Sequence, residues 1–105
     1  MSDLPTDITM EPIFVVEATY APDAAETRVP FRPEHLAGII ARKRAGVYIE
    51  AGAYADMTAS LILVRAPDAA AAIALVSDDV YMRNGVWVEV RARGFGRVTA
   101  GGDAD

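Results

Sequence analysis

The order of the apolar patterns along this chain constrains its fold more than any other feature. Strand-like patterns, either β-branched or alternating with a period of two, occupy residues 12–20, 47–53, 59–65 and 86–93. Helical patterns lie between the first and second of these strands and between the third and fourth, at residues 33–45 and 69–76. This order predicts a ferredoxin-like α+β fold, βαββαβ, in which two helices cover one face of a four-stranded antiparallel sheet.

Local signals define the ends of the predicted elements. Pro33 suits the first turn of the first helix, and Gly46 provides the left-handed residue that ends it. Asp68 is a good N-cap for the second helix, and Asn84-Gly85 is typical of a turn before the last strand. The other connections, residues 21–30 and 54–58, are expected to be a loop and a short hairpin.

The composition indicates a single soluble domain. The chain has 105 residues, of which 52% are apolar. It has no cysteine, which excludes a disulfide framework, a thiolate nucleophile and a cysteine zinc site. No apolar run approaches the roughly 20 residues that cross a bilayer, and no secretory signal is present, so a cytoplasmic location is expected. Residues 12–98 are expected to form the domain, between flexible segments 1–11 and 99–105.

The charge distribution argues against a nucleic-acid partner. The formal net charge of -5 arises from acids near the two ends, and the body between them is neutral overall. The only tight basic run, residues 42–44, falls in the last turn of the first helix, where it complements the helix dipole. A single histidine, with no HExxH or calcium-loop pattern, argues against a metal site. No membrane partner is expected.

One face of the predicted sheet requires a partner. In a period-two register the valines of the last strand lie beneath the helices, and the opposite face is amphipathic. Because such a face is too large to leave wet, we expect a homodimer in which sheet packs on sheet. The residues expected on that face are Tyr48, Glu50, Trp87, Glu89 and Arg91.

His35, the single histidine, is the first candidate for chemistry. It lies in the first turn of the predicted helix, where the helix dipole keeps an imidazole neutral and able to act as a general base. The alternative is a surface or boundary residue. Asp78 and Asp79 follow the second helix, where the helix dipole disfavours an acid. They either meet His35 across the two helices or solvate a turn.

Two arginines precede the first helix, and one acid interrupts the first strand. The guanidinium groups of Arg28 and Arg32 could bind a ligand carboxylate, enolate or phenolate. They could equally pair with the neighbouring acids Asp23, Glu26 or Glu34. Glu17 is either a buried carboxylate or the inner wall of a cleft.

Three segments resemble the YCII-related (YciI-like) family of small proteins. They are RVPFRPEHLA at residues 28–37, AG at 45–46 leading to EAG at 50–52, and SDDVY at 77–81 leading to GVW at 85–87. The resemblance runs from about residue 12 to residue 98 and respects the order of all the predicted elements.

The resemblance implies a ferredoxin-like subunit that pairs into a dimeric α+β barrel, with a histidine and an aspartate facing a cleft as the catalytic pair. By position these are His35 and Asp79, and the arginine ahead of the helix is Arg28. Arg32 and Tyr81 are expected to join Arg28 in binding substrate. Within the family and its superfamily, a dehydrochlorinase of a hydroxyquinol and a muconolactone isomerase both act on small oxygenated rings.

The chain departs from the family pattern around the expected pocket. Ala53 and Val80 stand where the family usually has proline, and the hairpin at residues 54–58 is short and free of glycine. These differences change the pocket wall, so the resemblance does not define the substrate.

Three hypotheses of different classes follow. In the first, Asp79 orients His35, which transfers a proton to or from a small anionic or phenolic substrate while Arg28 stabilises an oxyanion. That reaction is of lyase or isomerase type and requires neither a metal nor an organic cofactor. In the second, the same cleft binds a small molecule in a non-catalytic or accessory dimer. A purely structural module, with no pocket beside His35, is a third hypothesis.

Overall fold

Four strands and four helices make up residues 7–100, the part of the chain that the computed structural model describes. A single 3-10 turn, Val29–Phe31, precedes the longest helix. Apart from the two four-residue helices, the order is βαββαβ as predicted. The strands are β1 (Ile8–Tyr20), β2 (Tyr48–Ala53), β3 (Ala59–Val64) and β4 (Trp87–Ala100), and the helices are α1 (Ala24–Thr27), α2 (Arg32–Arg44), α3 (Ala69–Ser77) and α4 (Val80–Arg83).

The strands form one antiparallel sheet in the order β2-β3-β1-β4. Since β1 lies between β3 and β4, its central residues pair on both sides: Val16 is opposite Ile62 and opposite Ala92. Helix α2 packs on β2, and α3 packs on β1 and β4. The predicted ferredoxin-like α+β subunit fold is therefore confirmed.

The core lies between the helices and one face of the sheet. Val16 and Ala18 of β1 are fully buried there, as are Ala72 and Val76 of α3. Burying one such valine contributes about 1.5–3 kcal/mol relative to leaving it exposed. The alternation of β1, with even-numbered residues inward, therefore fixes which side of the sheet the helices cover.

The faces predicted for the first residues of β2 and β4 are wrong, because each strand has a β-bulge near its start. Tyr48 and Trp87 were expected on the face away from the helices, yet each is 1% exposed and belongs to the helix-side core. The register shifts between Tyr48 and Glu50 and, opposite β4, between Thr19 and Tyr20. Val88 is the residue of β4 left without a partner on β1 at this shift. The alternation changes sides there, and Val88, expected beneath the helices, is 55% exposed.

Strands β1 and β4, the first and last along the chain, are longer than predicted. β1 begins at Ile8 rather than residue 12, and Ile8 pairs with Ala100 at the end of β4. Pro12 lies on a stretch of β1 beyond the pairing with β3, so its missing N–H costs no ladder bond on that side. Residues 8–11 and 99–100, expected in flexible segments, are thus paired strand; 1–6 and 101–105 lie outside the described residues.

The predicted turns are confirmed, and two short helices were missed. Gly46 and Gly85 have φ of 78° and 72°, the left-handed conformation that favours glycine. Residues 21–30, predicted as a loop, contain α1, and α4 follows α3 directly. In the 54–58 hairpin, Met57 has a φ of 61°, and the Asp56 carboxylate accepts hydrogen bonds from Thr58 N–H and Oγ1. Within residues 7–100 no helix is long and apolar enough to cross a bilayer.

Candidate functional site

A cavity of about 180 Å³ lies between α2 and the helix-side face of the sheet. Four of the five predicted site residues line it: Arg28, Arg32, His35 and Tyr81. The fifth, Asp79, does not line the cavity but is hydrogen-bonded to His35, which does. The remaining lining residues are Tyr20, Leu36, Ile39, Ala51, Gly52, Ala53, Ser60, Ile62 and Trp87.

His35 is held against Asp79 in the interior. Its Nδ1 lies 2.9 Å from each carboxylate oxygen of Asp79. The two residues are only 8% and 4% exposed, so the contact is shielded from solvent. His35 is therefore not a surface residue, because its ring is buried and paired with Asp79.

Asp79 is placed by α4, the helix that the sequence pattern did not reveal. It is the N-cap of α4, and its Oδ1 accepts a hydrogen bond of 2.8 Å from the Tyr81 backbone N–H. An acid is favoured at a helix N-terminus, so Asp79 is not misplaced. Asp78, by contrast, is exposed and pairs with Arg42 and Arg83 at the surface.

Aromatic rings fix the orientation of the imidazole. The Tyr81 ring stacks on the His35 ring at a centroid distance of 3.7 Å with an interplanar angle of 6°. The Trp87 ring meets the imidazole edge-on at 5.2 Å and 90°. With one ring stacked and a second perpendicular, the imidazole has little freedom to rotate away from Asp79.

This arrangement selects one neutral tautomer of His35. A carboxylate only accepts hydrogen bonds, so the Nδ1 beside it carries the proton and donates. The Nε2 then has a free lone pair. Within residues 7–100 every hydrogen bond of the His35 ring goes to Nδ1. In this tautomer Nε2 is the ring nitrogen that can accept a hydrogen bond or a proton.

Arg28 and Arg32 bring positive charge to the cavity without a carboxylate partner among residues 7–100. Arg28 Nη1 donates a hydrogen bond to Met57 Sδ at 3.5 Å. The alternative pairing with nearby acids is not formed, and Glu34 pairs with Arg83 instead. Two guanidinium groups without counterions in the described part of the chain favour an anionic ligand at this place.

Tyr81 contributes a neutral phenol to the site. Burial raises the pKa of its hydroxyl, an effect that the charges of Arg28 and Arg32 partly oppose. The hydroxyl therefore stays protonated at neutral pH. Within the described chain it makes no hydrogen bond.

Glu17 does not belong to this site. It lies on the other face of the sheet, is half-buried rather than buried, and contacts Arg91 at 3.6 Å and Tyr54 Oη at 3.2 Å. Tyr20 and Ser60, which do line the cavity, were missed because their residue types occur widely and only the β1–β3 pairing brings them together. Within residues 7–100 no group of three or more His, Cys, Asp or Glu side chains is arranged to hold a metal ion.

The fold and this site define a ferredoxin-like α+β protein with a histidine–aspartate pair beside a small cavity. The YCII-related domain matches residues 13–95, and the chain belongs to that family. No curated protein matches the sequence.

A solved structure supports the fold assignment. The chain is similar to 5-chloro-2-hydroxyhydroquinone dehydrochlorinase (TftG) from Burkholderia phenoliruptrix AC1100, in complex with 2,5-dihydroxybenzoquinone. The two share 18% sequence identity at a TM-score of 0.65, over 77% of this chain and 90% of that chain. At this identity the similarity establishes a shared fold.

Proposed function

We propose that this protein catalyses general acid–base proton transfer on a small anionic or phenolic compound, with His35 as the base and Asp79 as its orienting partner. The observation that carries the proposal is the 2.9 Å contact of His35 Nδ1 with Asp79 at the wall of a cavity. The same cavity holds Arg28 and Arg32, neither of which has a carboxylate partner among residues 7–100.

The proposed step moves one proton. Nε2 of His35 accepts it from the substrate, and the electron pair stays on the substrate as a phenolate or enolate. Asp79 stabilises the imidazolium, and Arg28 and Arg32 stabilise the substrate anion. The proton then returns to a different atom in an isomerase reaction, or to solvent when a leaving group departs in a lyase reaction. Such acid–base catalysis contributes on the order of 100- to 10,000-fold in rate.

The size of the cavity supports a single-ring substrate. A cavity of roughly 150 Å³ holds benzene, so the 180 Å³ here accommodates one substituted ring. The similar structure was determined with a single-ring quinone, 2,5-dihydroxybenzoquinone. We propose the same class of compound, small oxygenated rings, as the substrate of this protein.

The test compares the wild type with His35→Asn on a panel of hydroxylated and chlorinated single-ring compounds, beginning with 5-chloro-2-hydroxyhydroquinone. The asparagine amide keeps a donor near Nδ1 for Asp79 but provides no base. Chloride release and ultraviolet absorbance report turnover. We expect His35→Asn to lose at least about 100-fold in rate. Tyr48→Phe, which alters a buried hydroxyl outside the cavity, is expected to remain active.

Two other outcomes would contradict the proposal. Equal turnover by the wild type and His35→Asn would remove His35 as the base. A saturable rise in melting temperature with a panel compound, without product after long incubation, would favour the alternative of a non-catalytic binding protein.

The active form that we propose is a cytoplasmic homodimer formed through the sheet face away from the helices. Val15, Leu61 and Leu63 are only half-buried there, beside the ion pair of Glu17 with Arg91. A face with apolar and oppositely charged residues can be complementary to a second copy of itself. Light scattering is expected to give a dimer mass, which Leu63→Glu halves. Ile40→Glu, an exposed site on α2, leaves it unchanged; a monomeric wild type would refute the dimer.

A further inference from the structure

Two hydroxyl groups in the cavity wall have one O–H donor without an acceptor among residues 7–100. Ser60 Oγ donates a hydrogen bond of 3.0 Å to Tyr20 Oη, and both residues line the cavity beside His35. The two hydroxyls carry two protons, and the bond between them uses one. Neither hydroxyl has another partner among residues 7–100.

A spare donor at this depth requires an acceptor. Tyr20 is 7% exposed and Ser60 is 4% exposed, so bulk solvent reaches them little. A buried hydroxyl whose donor is unsatisfied costs about 1–3 kcal/mol. The cavity is the space that both residues face, so a molecule bound in it is the natural partner of the free proton.

The Tyr20 ring is positioned for this contact by the aromatic cluster around His35. It meets the Tyr81 ring edge-on at 6.3 Å and the Trp87 ring edge-on at 6.5 Å. Tyr81 in turn stacks on His35. A single ring bound in the cavity therefore lies near the imidazole, the arginines and the Tyr20 hydroxyl together.

We propose that Tyr20 is a specificity-determining residue whose hydroxyl donates a hydrogen bond to an oxygen of the bound ligand, with Ser60 as its positioning residue. The bond from Ser60 occupies a lone pair of Tyr20 Oη and turns the Tyr20 proton away from Ser60. The ligand class is a single ring that carries an acceptor oxygen in addition to the anionic group bound by Arg28 and Arg32. This inference rests on the proposed ligand-binding cavity but not on catalysis.

The experiment measures how well the protein distinguishes ligands with and without that oxygen. The probes are benzoate, 3-hydroxybenzoate and 4-hydroxybenzoate, titrated by calorimetry. Benzoate supplies the anionic group, and its hydroxylated derivatives add the second oxygen at two positions. We expect the wild type to bind one hydroxybenzoate about tenfold more tightly than benzoate, the amount that one good hydrogen bond supplies.

The variants separate recognition from folding. Tyr20→Phe keeps the ring and its packing, and we expect it to lose the tenfold preference while binding benzoate as the wild type does. Ser60→Ala is expected to retain part of the preference, because Tyr20 can still donate. Tyr48→Phe is the matched control, since the Tyr48 hydroxyl is buried and has no partner among residues 7–100, but does not line the cavity. It is expected to retain the full preference.

The result that would overturn the proposal is equal preference in the wild type and Tyr20→Phe, including the case of no preference in either. A general structural role for Tyr20 would weaken benzoate and hydroxybenzoate binding alike and would also overturn it. If the preference is lost as expected but no panel compound is turned over, the recognition role of Tyr20 stands and the proposed catalysis fails.

Discussion

The replacement of Asp79 by alanine tests how much the hydrogen bonds of the Asp79 side chain contribute to the stability of the fold. Asp79 is 4% exposed and accepts hydrogen bonds from two groups, His35 Nδ1 and the Tyr81 N–H. Loss of a helix N-cap costs typically about 1 kcal/mol. Leaving a buried donor such as His35 Nδ1 without an acceptor costs about 1–3 kcal/mol. Together, Asp79→Ala is expected to lower the free energy of unfolding by about 2–4 kcal/mol.

Two further variants sharpen the comparison. Asp79→Asn keeps the N-cap oxygen for Tyr81 and presents an amide N–H to His35, so we expect a loss below about 1.5 kcal/mol in stability. That amide donor favours the other imidazole tautomer, with the proton on Nε2, so turnover is expected to fall although the protein is folded. Asp78→Ala is the control, since Asp78 makes only exposed ion pairs, each contributing at most about 1 kcal/mol.

Urea unfolding followed by fluorescence is a suitable assay, because the chain has one tryptophan and Trp87 contacts His35 at 5.2 Å. We expect Asp79→Ala to be the least stable variant and Asp79→Asn and Asp78→Ala to have stabilities near that of the wild type. Equal losses for Asp79→Ala and Asp78→Ala would refute it, since the buried contact would then contribute nothing beyond a surface pair.

Three other predictions follow from separate parts of the structure. Gly85→Ala is expected to cost about 1–2 kcal/mol in urea unfolding. Its φ of 72° disfavours a side chain, while open space around the position excludes a clash; a neutral substitution would contradict the assigned turn. Arg32→Ala is expected to weaken benzoate binding in calorimetry and to reduce its dependence on salt, because one of two cations is lost; unchanged affinity would contradict an anion site there. Glu11 accepts hydrogen bonds from Arg65 and Arg97, and the bond from Arg65 holds the pKa of its carboxyl below the ordinary 4.5. A lowered folded-state pKa means that the stabilisation is present above pH 4.5 and is lost as pH falls through the folded-state value. Melting temperatures should therefore fall less steeply with acid in Glu11→Gln than in the wild type, and identical slopes would contradict the assignment.

The sequence predicted the fold because its main signals are local. The β-branched and aromatic first strand, the Gly46 stop and the Asp68 cap each act within a few residues, and they agree with one another. The strand faces were predicted less well. Alternation alone puts Tyr48 and Trp87 on the wrong side, because the bulges that reverse them depend on pairing with other strands.

The candidate site also combines residues that local signals revealed with contacts that depend on the assembled fold. Local features marked a histidine at a helix start, His35, and two acids after a helix end, Asp78 and Asp79; the family resemblance then selected Asp79 as the partner of His35. Their contact depends on α4, whose start at Asp79 is visible in retrospect as an aspartate N-cap. The Tyr20–Ser60 bond joins β1 to β3 and has no local signal, so only the assembled sheet reveals it.

Nitrogen-15 NMR of the imidazole shows whether His35 has a free Nε2 lone pair that faces the ligand. The chain contains a single histidine, so histidine-selective labelling gives one imidazole whose two nitrogens report which one carries the proton. In the neutral ring we predict a protonated Nδ1 and a bare Nε2, with the Nε2 signal shifting when benzoate enters the cavity. A proton on Nε2 in the neutral ring, or an Nε2 signal that saturating benzoate leaves unchanged, would contradict His35 as a base facing the ligand.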